Sequence, residues 1–375
     1  MCIFINFITF KLTVLNLLNL FRKHIIISFV SILVFISCNK NSSNDLNLGE
    51  IEDIQILEDE NSEIVFTTAP VDLNNIEARF AGNIAYDINP NTVFDVFLPV
   101  SETPTELVMF IHGGGFLAGD KEIFYKEGKN ETWNFPEHIK TLLNNNIAIA
   151  NINYRVIENN DSEGIIKSLN DSKRCLQYIR RIAEILNIDK SKIGLYGLSA
   201  GGGTSLWLNF HDDMADTTNS DIVLRESTKV SASAVLETQA SYDLVKWADD
   251  IFEPYNLTFE QLLSLDEARV LSFFGVSTVD ELYSPELIAY RDNVNMLEMM
   301  SLDDAEYWVS NVNRPVISPT NVGQVTHHAF HAKTLKEYAD NIGLSNVSYF
   351  GRNPILFEDP SNESAVDFLI RKLNE

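Results

Sequence analysis

Short apolar runs alternate along the middle of the chain with segments whose apolar residues recur every three or four positions. Continuous apolar runs are typical of strands buried on both faces, and the three- to four-residue spacing is typical of helices. Strands are predicted at residues 93–98, 107–111, 147–152, 193–196 and 230–236, with helices near 139–143 and 169–186. This alternation predicts a mostly parallel sheet with helices on both faces.

The last third of the chain departs from this rhythm and then returns to it. Residues 245–310 show helical patches and no strand pattern, which predicts an inserted helical cap. We interpret its aromatic residues as core in preference to the lining of an acyl or aryl pocket; they are Trp247, Phe252, Tyr255 and Trp308. The final strands are predicted at 315–318 and 347–350, with helices at 331–342 and 364–373.

A tight turn with a serine at its centre follows the run at 193–196. It reads Gly197-Leu198-Ser199-Ala200-Gly201, and a helical segment follows at 204–210. A strand, a Gly-flanked turn and a helix are the context that Gly-x-Ser-x-Gly requires. Small neighbours let the chain reverse while Ser199 takes a strained backbone conformation. We expect its hydroxyl to project from the carboxyl edge of the sheet.

A glycine-rich segment, His112-Gly113-Gly114-Gly115-Phe116, follows the run at 107–111. Acyl transfer places negative charge on the substrate carbonyl oxygen, and losing one backbone N–H donor to that oxygen costs roughly 3 kcal/mol. We expect the N–H groups of Gly113, Gly114 and Gly115, together with that of Ala200, to form such an oxyanion hole. Either motif alone fits a purely structural turn, but the two in this order favour an acyl-transfer scaffold.

These two motifs resemble those of the α/β-hydrolase carboxylesterases, the hormone-sensitive-lipase-like group with its bacterial feruloyl- or acetyl-esterase-like relatives. The resemblance runs from about Asn83 to the C-terminus and is strongest up to about Asp243. It implies the α/β-hydrolase fold, with an eight-stranded, mostly parallel sheet and helices on both faces. It also implies Ser199 as the nucleophile and the Gly113–Gly115 loop as part of the oxyanion hole.

The resemblance breaks at the two groups that activate the serine. The family places an acid after strand seven and a histidine after strand eight. No Asp or Glu occurs from Trp308 to Lys336, and Asn321 stands at about the position where the acid would be. No histidine follows His331.

Two alternatives are open for the missing partners of Ser199. In the first, the triad has migrated: His327, His328 or His331 supplies the base, and Asp243 orients it, with Glu237 a weaker choice. We favour this alternative with His328 as the base, because a double histidine at a helix start directs one ring inward. In the second, the triad is lost, and the chain is an impaired esterase or a binding protein.

The N-terminal residues 1–37 are predicted to be an export leader. A basic Arg22-Lys23-His24 segment precedes an apolar stretch about half as long as the roughly 20 residues that a membrane span needs. A serine directly before Cys38 resembles a bacterial lipoprotein box, so we expect lipid on Cys38; a plain signal or an uncleaved anchor is the rival reading. The first twenty residues are superfluous to such a leader, whose natural start is expected near Phe21.

Residues 38–63 are polar and acidic and predict a flexible tether, which leaves 64–375 for the hydrolase domain with its cap at about 245–310. The 375-residue chain has 53 acidic and 28 basic residues, and this net charge of −25 disfavours nucleic acid and anionic membrane surfaces as partners. Contact with a membrane is expected only through the N-terminal lipid or anchor. The three cysteines show no disulfide framework or metal spacing, and Cys175 is predicted to be a buried thiol.

Together these features predict a serine carboxylic-ester hydrolase at the periplasmic or outer surface of a bacterial membrane. Its expected substrate is a small ester or an acylated glycan, and neither cofactor nor metal is implied. The alternative is a surface lipoprotein that keeps the fold but binds a ligand without turnover.

Overall fold

Ten strands form one sheet in the part of the chain that the structure, a computed structural model, describes, namely residues 55–56 and 64–375. The predicted leader and Cys38 lie outside these residues. The strands are β1 (Gln55–Ile56), β2 (Ala78–Ala85), β3 (Val93–Pro99), β4 (Thr105–Ile111), β5 (Ala148–Ile152), β6 (Ile188–Leu198), β7 (Ala232–Leu236), β8 (Tyr307–Asn311), β9 (Asn346–Arg352) and β10 (Ile355–Glu358). Their order in the sheet is β1-β2-β3-β5-β4-β6-β7-β8-β9-β10.

The centre of the sheet is parallel. Neighbouring strands from β5 through β4, β6, β7 and β8 to β9 all run in one direction, whereas β3 pairs antiparallel with both β2 and β5. The predicted α/β-hydrolase fold with its mostly parallel sheet is confirmed. Two strands exceed the expected eight: β1, which lies within the predicted tether and pairs with β2, and β10, which forms a hairpin with β9.

Helices cover both faces of the sheet. They are α1 (Phe135–Asn144), α2 (Ile166–Arg181), α3 (Ala183–Leu186), α4 (Ala200–Phe210), α5 (Trp247–Asp250), α6 (Phe259–Leu263), α7 (Glu267–Phe274), α8 (Pro285–Asp292), α9 (Met296–Met299), α10 (Val322–Thr326), α11 (Ala329–Ile342) and α12 (Ala365–Asn374). Short 3-10 helices occupy Lys121–Tyr125, Glu131–Trp133, Val223–Arg225, Leu244–Lys246, Glu253–Tyr255 and Asp280–Tyr283. One apolar core packs α1 and α12 against the sheet, and the other packs α2, α4 and α11 against the opposite face. None of the helices in the described residues is long and apolar enough to cross a membrane.

The seventh strand of the predicted series lies earlier in the chain than its apolar pattern indicates. The pattern predicts a strand at 315–318, but the structure forms β8 at Tyr307–Asn311 and leaves Ile317 exposed. The polar Ser310 and Asn311 interrupt the apolar run, which hides the strand. Both are buried, and the side chain of Asn311 accepts a hydrogen bond from the Thr238 N–H at 3.0 Å. Trp308 therefore belongs to the sheet and not to the cap.

The cap is helical from Leu244 to Met299, and a buried ion pair joins it to the sheet. Arg291 on α8 donates from Nε to Asp243 Oδ1 at 2.7 Å and from Nη2 to Asp243 Oδ2 at 3.1 Å. Asp243 follows β7, so the bidentate pair holds the cap to the segment after that strand. Breaking a buried pair on one side is strongly destabilising, because the remaining charge stays buried without a partner.

Replacing Arg291 by Met should lower the free energy of unfolding by about 3–5 kcal/mol, because it leaves the buried Asp243 carboxylate unpaired. Urea denaturation of the full chain measures this. The double variant Asp243→Leu with Arg291→Met removes both charges and should recover most of the loss. A loss below about 1 kcal/mol in Arg291→Met would contradict a structural role for the pair.

Candidate active site

Ser199 occupies a sharp turn between β6 and α4. Its backbone has φ 53° and ψ −116°, a conformation that L-residues rarely adopt and that stores strain at functional sites. The N–H of Ser199 donates to the carbonyl of Leu236 at the end of β7, at 2.8 Å. This bond fixes the turn against the neighbouring strand, and α4 begins at the next residue, Ala200.

The glycine loop after β4 lies directly against this turn. A Cβ placed on Gly113 would be 3.1 Å from the Ser199 Cβ, so the loop backbone and the serine are in contact. Gly114 has φ 121°, and a Cβ there would lie 1.7 Å from the Ala118 carbonyl oxygen, so only glycine fits. In the described part of the chain, no acceptor is recorded for the N–H groups of Gly114, Gly115 and Ala200.

His112 holds the base of the loop. Its Nδ1 lies 2.7 Å from the Gly113 carbonyl oxygen, and its ring stacks on Tyr154 with centroids 4.3 Å apart. The Tyr154 hydroxyl donates to the His112 carbonyl at 2.8 Å. Burial lowers the pKa of His112 from its ordinary value and so favours the neutral ring, which donates to the Gly113 carbonyl in the tautomer with its proton on Nδ1.

His327 contacts the serine. Its Nε2 lies 2.8 Å from Ser199 Oγ, which is hydrogen-bonding distance for a serine and its base. His327 is the residue directly after the short helix α10, and the side chain of Asn321 caps the start of that helix by accepting from the Gln324 N–H at 3.1 Å. Asn321, which stands at about the position expected for the acid, therefore shapes the segment that carries the histidine.

Hydrogen bonds join the segment after β7 to α10. Gln239 Nε2 donates to the carbonyl of Thr326 at 2.7 Å, directly before His327. The buried His331 bridges the same two segments, because its Nδ1 accepts from the Ala240 N–H at 3.2 Å and its Nε2 lies 2.9 Å from the Val325 carbonyl. Burial lowers the pKa of His331 to about 3, so it remains a neutral bridge.

His328, the predicted base, does not face Ser199. Its ring is buried, and its Nδ1 accepts from the Phe330 N–H at 3.1 Å, which caps the start of α11. Its Nε2 lies 3.1 Å from the Ile317 carbonyl and 3.3 Å from the Tyr255 hydroxyl. The inward ring of the double histidine thus serves the helix cap, and the outward ring of His327 reaches the serine.

Asp243, the predicted orienting acid, is committed to Arg291 and makes no contact with His327. Glu237, the weaker choice, accepts at Oε1 from the Val312 N–H, the Asn313 N–H and Asn313 Nδ2, at 3.2, 3.2 and 2.8 Å. Burial raises the pKa of Glu237. Within residues 64–375 no carboxylate is hydrogen-bonded or ion-paired to His327, so the site is a serine–histidine pair without a contacting acid.

The electrostatic surroundings of His327 oppose its protonation. Burial lowers its pKa to about 4, the positive charge of Arg314 acts in the same direction, and a hydrogen bond with the Gly323 backbone acts against both. The ring is therefore neutral at physiological pH and able to accept the Ser199 proton. It is also a weaker base than an ordinary histidine, whose pKa is about 6.5.

A cavity of about 1180 Å³ opens over Ser199 and is large enough for a substrate of several rings. The glycine loop, His327, Glu237 and Arg314 line it on the sheet side. Residues of the cap that line it are Leu244, Trp247, Arg269 and Phe273. Of the four aromatic residues assigned to the cap, Trp247 lines the cavity, whereas Phe252 and Trp308 are buried in the core and Tyr255 stacks on Phe330.

No group of three or more His, Cys, Asp or Glu side chains in the described ranges is placed to hold a metal ion. The predicted free thiol at Cys175 is confirmed and buried. Gln239 and Arg314 are site residues that sequence reasoning missed. Their only signal is position, since each follows a strand of the parallel sheet at its carboxyl end.

The strand order, the strained serine turn and the glycine loop define an α/β hydrolase. Solved structures share the fold. A truncated carbohydrate esterase from gut microbiota is 18% identical with a TM-score of 0.56, covering 80% of this chain and 99% of its own. A bifunctional GH43-CE protein of Bacteroides eggerthii is also 18% identical with a TM-score of 0.53, covering 78% of this chain and 38% of its own.

The family model BD-FAE matches residues 94–297, more than half of the chain. The chain therefore belongs to the BD-FAE family of α/β-hydrolase esterases. No curated protein matches it significantly.

The low pKa of His327 predicts a serine that stays reactive in mild acid. Only the neutral imidazole can accept a proton, so at pH 5 about nine tenths of the molecules would be competent with a pKa of about 4, against about 3% with an ordinary pKa of 6.5. The rate of fluorophosphonate reaction with Ser199 between pH 5 and 8 measures this fraction.

Arg314→Gln removes a charge that lowers the pKa of His327. The pH below which the rate of fluorophosphonate reaction falls should therefore be higher in this variant than in the wild type. A wild-type rate that halves near pH 6.5 would contradict the account of a desolvated His327.

Proposed function

We propose that the protein hydrolyses carboxylic esters through an acyl-enzyme on Ser199, with His327 as general base and acid. The observation that carries the proposal is the 2.8 Å contact between Ser199 Oγ and His327 Nε2 at a strained turn beside the glycine loop. Membership of an esterase family supports the reaction class.

The first half-reaction forms the acyl-enzyme. Ser199 Oγ attacks the ester carbonyl carbon while its proton passes to His327 Nε2. The carbonyl oxygen becomes negative and accepts hydrogen bonds from the N–H groups of Gly114, Gly115 and Ala200, with Gly113 shaping the loop. The bond between the carbonyl carbon and the alcohol oxygen then breaks, and His327 gives its proton to the departing alcohol.

The second half-reaction releases the acid. Water attacks the acyl-enzyme, its proton passes to His327, and that proton returns to Ser199 Oγ as the carboxylic acid leaves. In a triad an acid orients the imidazole and stabilises the imidazolium. Here the imidazole of His327 is oriented by its hydrogen bond with the Gly323 backbone and by the hydrogen bonds of the segments around it.

An acylated glycan is the proposed substrate class, with a small ester as the broader possibility. The cavity of about 1180 Å³ has room for sugar rings, and the name of the structurally similar gut-microbiota protein describes a carbohydrate esterase. Export and lipid attachment at Cys38 remain predictions from the sequence, and both agree with a substrate outside the cytoplasm.

Ser199→Ala and His327→Gln should each lower kcat on 4-nitrophenyl acetate by at least about 10⁴-fold, because nucleophile and base act as one unit. For the same reason the double variant should be no slower than Ser199→Ala. Ester turnover, with fluorophosphonate labelling in parallel, measures both effects on the full chain.

The matched control is His328→Asn, because an Asn oxygen can keep the helix cap that His328 makes. It should retain labelling and turnover within about tenfold. A folded wild type that neither labels nor turns over esters would overturn the enzyme assignment. Loss of activity in His328→Asn with retention in His327→Gln would move the base to His328.

A further inference from the structure

Arg314 lines the same cavity as Ser199 and His327. It follows β8, and its Nη2 lies 4.0 Å from the position that a Cβ on Gly323 would occupy, so the guanidinium sits beside α10, the helix that His327 directly follows. The side chain is exposed to the cavity. In residues 64–375 this guanidinium makes no ion pair or hydrogen bond, whereas Arg291 on α8 has a bidentate partner in Asp243.

The neighbouring carboxylate, Glu237, forms no ion pair with Arg314, although the charge of Arg314 acts on it and opposes the rise in pKa that burial causes. Glu237 lines the same cavity, but its Oε1 accepts three hydrogen bonds from Val312 and Asn313, and among residues 64–375 no ion pair within 4.0 Å joins it to Arg314. The other acidic residues of the lining belong to the segment after the glycine loop and are Asp120, Glu122 and Glu127. Arg314 is thus a cation in the cavity with its hydrogen-bond donors unused.

The position of Arg314 indicates which half of a substrate it meets. In the proposed reaction, His327 gives its proton to the departing alcohol, so the alcohol half of the ester lies against His327. Arg314 borders the helix of that histidine and therefore lies on the alcohol side. A planar guanidinium with several N–H donors matches a carboxylate in geometry and charge.

We propose that the preferred substrate is an ester whose alcohol half carries a carboxylate, such as an acylated acidic sugar, and that this carboxylate pairs with Arg314. The inference rests on the proposed ester hydrolysis and specifies its substrate class. The chain's net charge of −25 repels anions at long range, but at 0.15 M salt the screening length is about 8 Å. The binding of a substrate carboxylate therefore depends on its local pair with Arg314.

Pairing also has a consequence for the chemistry. The charge of Arg314 opposes protonation of His327, and a substrate carboxylate beside Arg314 offsets that charge only while the substrate is bound. The acidic substrate should therefore gain in kcat as well as in KM, whereas a residue that only shapes the cavity would not change the two together.

The test compares 3-acetoxybenzoate with 3-acetoxybenzamide, which differ in a carboxylate against a neutral amide on the alcohol half. Values of kcat/KM at 0.15 M NaCl are divided by the hydroxide rate constant of each ester to remove intrinsic reactivity. The wild type should prefer the benzoate by about tenfold or more, the size of one charge-assisted hydrogen bond. Arg314→Gln should abolish this preference, and Arg314→Lys should keep part of it.

Arg269→Gln is the matched control. Arg269 lines the cavity beside Gly115, on the side of the glycine loop, and is paired through Nε with Asp266 at 3.2 Å. Its loss should leave the preference for the benzoate intact. An equal loss in Arg269→Gln would assign the preference to the general field of the cavity and overturn the role of Arg314.

The failure of this inference and the failure of the proposed function are distinguishable. Turnover of the benzamide with no preference for the benzoate would overturn the carboxylate pairing and leave ester hydrolysis standing. No turnover of either ester, with no fluorophosphonate labelling of Ser199, would overturn both.

Discussion

The strained backbone at Ser199 is the constraint on which the geometry of the site depends. A serine with φ 53° persists only where its surroundings over-determine it, and here three strands do so. β6 delivers the turn, β7 accepts its N–H through Leu236, and β4 sends the glycine loop against it. The parallel register, which pairs Ile111 with Gly197 and Leu198 with Leu236, brings these carboxyl ends to one edge of the sheet.

The histidine reaches this edge from an unusual place. It follows β8 and not β9, and in the described residues it has no contacting carboxylate. Its position depends on hydrogen bonds of neighbouring segments, from Gln239 to Thr326 and through the bridging His331. Burial and the charge of Arg314 keep the ring neutral, so the proton transfer that we propose depends on proximity to Ser199 and on the glycine loop more than on a strongly basic histidine.

The parts of the site whose geometry is set by a short stretch of sequence could be predicted from that stretch. The two glycine motifs each follow a strand and contain their own turn chemistry, so Ser199 and the loop at Gly113–Gly115 were located from the sequence. The structure directs His327, and not the predicted His328, towards Ser199, because the choice between them depends on which ring caps α11, and the sequence does not contain that geometry. Asp243 pairs with Arg291 and not with a histidine, and the sequence did not indicate this because Arg291 lies 48 positions away in the cap. The apolar pattern did not indicate β8 for a similar reason. Its buried polar residue Asn311 has its hydrogen-bond partner, Thr238, on the segment after β7.

We propose that Ser199 and His327 form the reactive pair beside a glycine-loop oxyanion hole. The most direct measurement is a crystal structure of the full chain after reaction with a fluorophosphonate. We expect phosphorus bonded to Ser199 Oγ, the phosphonyl oxygen accepting from the N–H groups of Gly114, Gly115 and Ala200, and His327 Nε2 within hydrogen-bonding distance of the adduct. An unmodified Ser199, or an adduct contacted by His328 in place of His327, would contradict it.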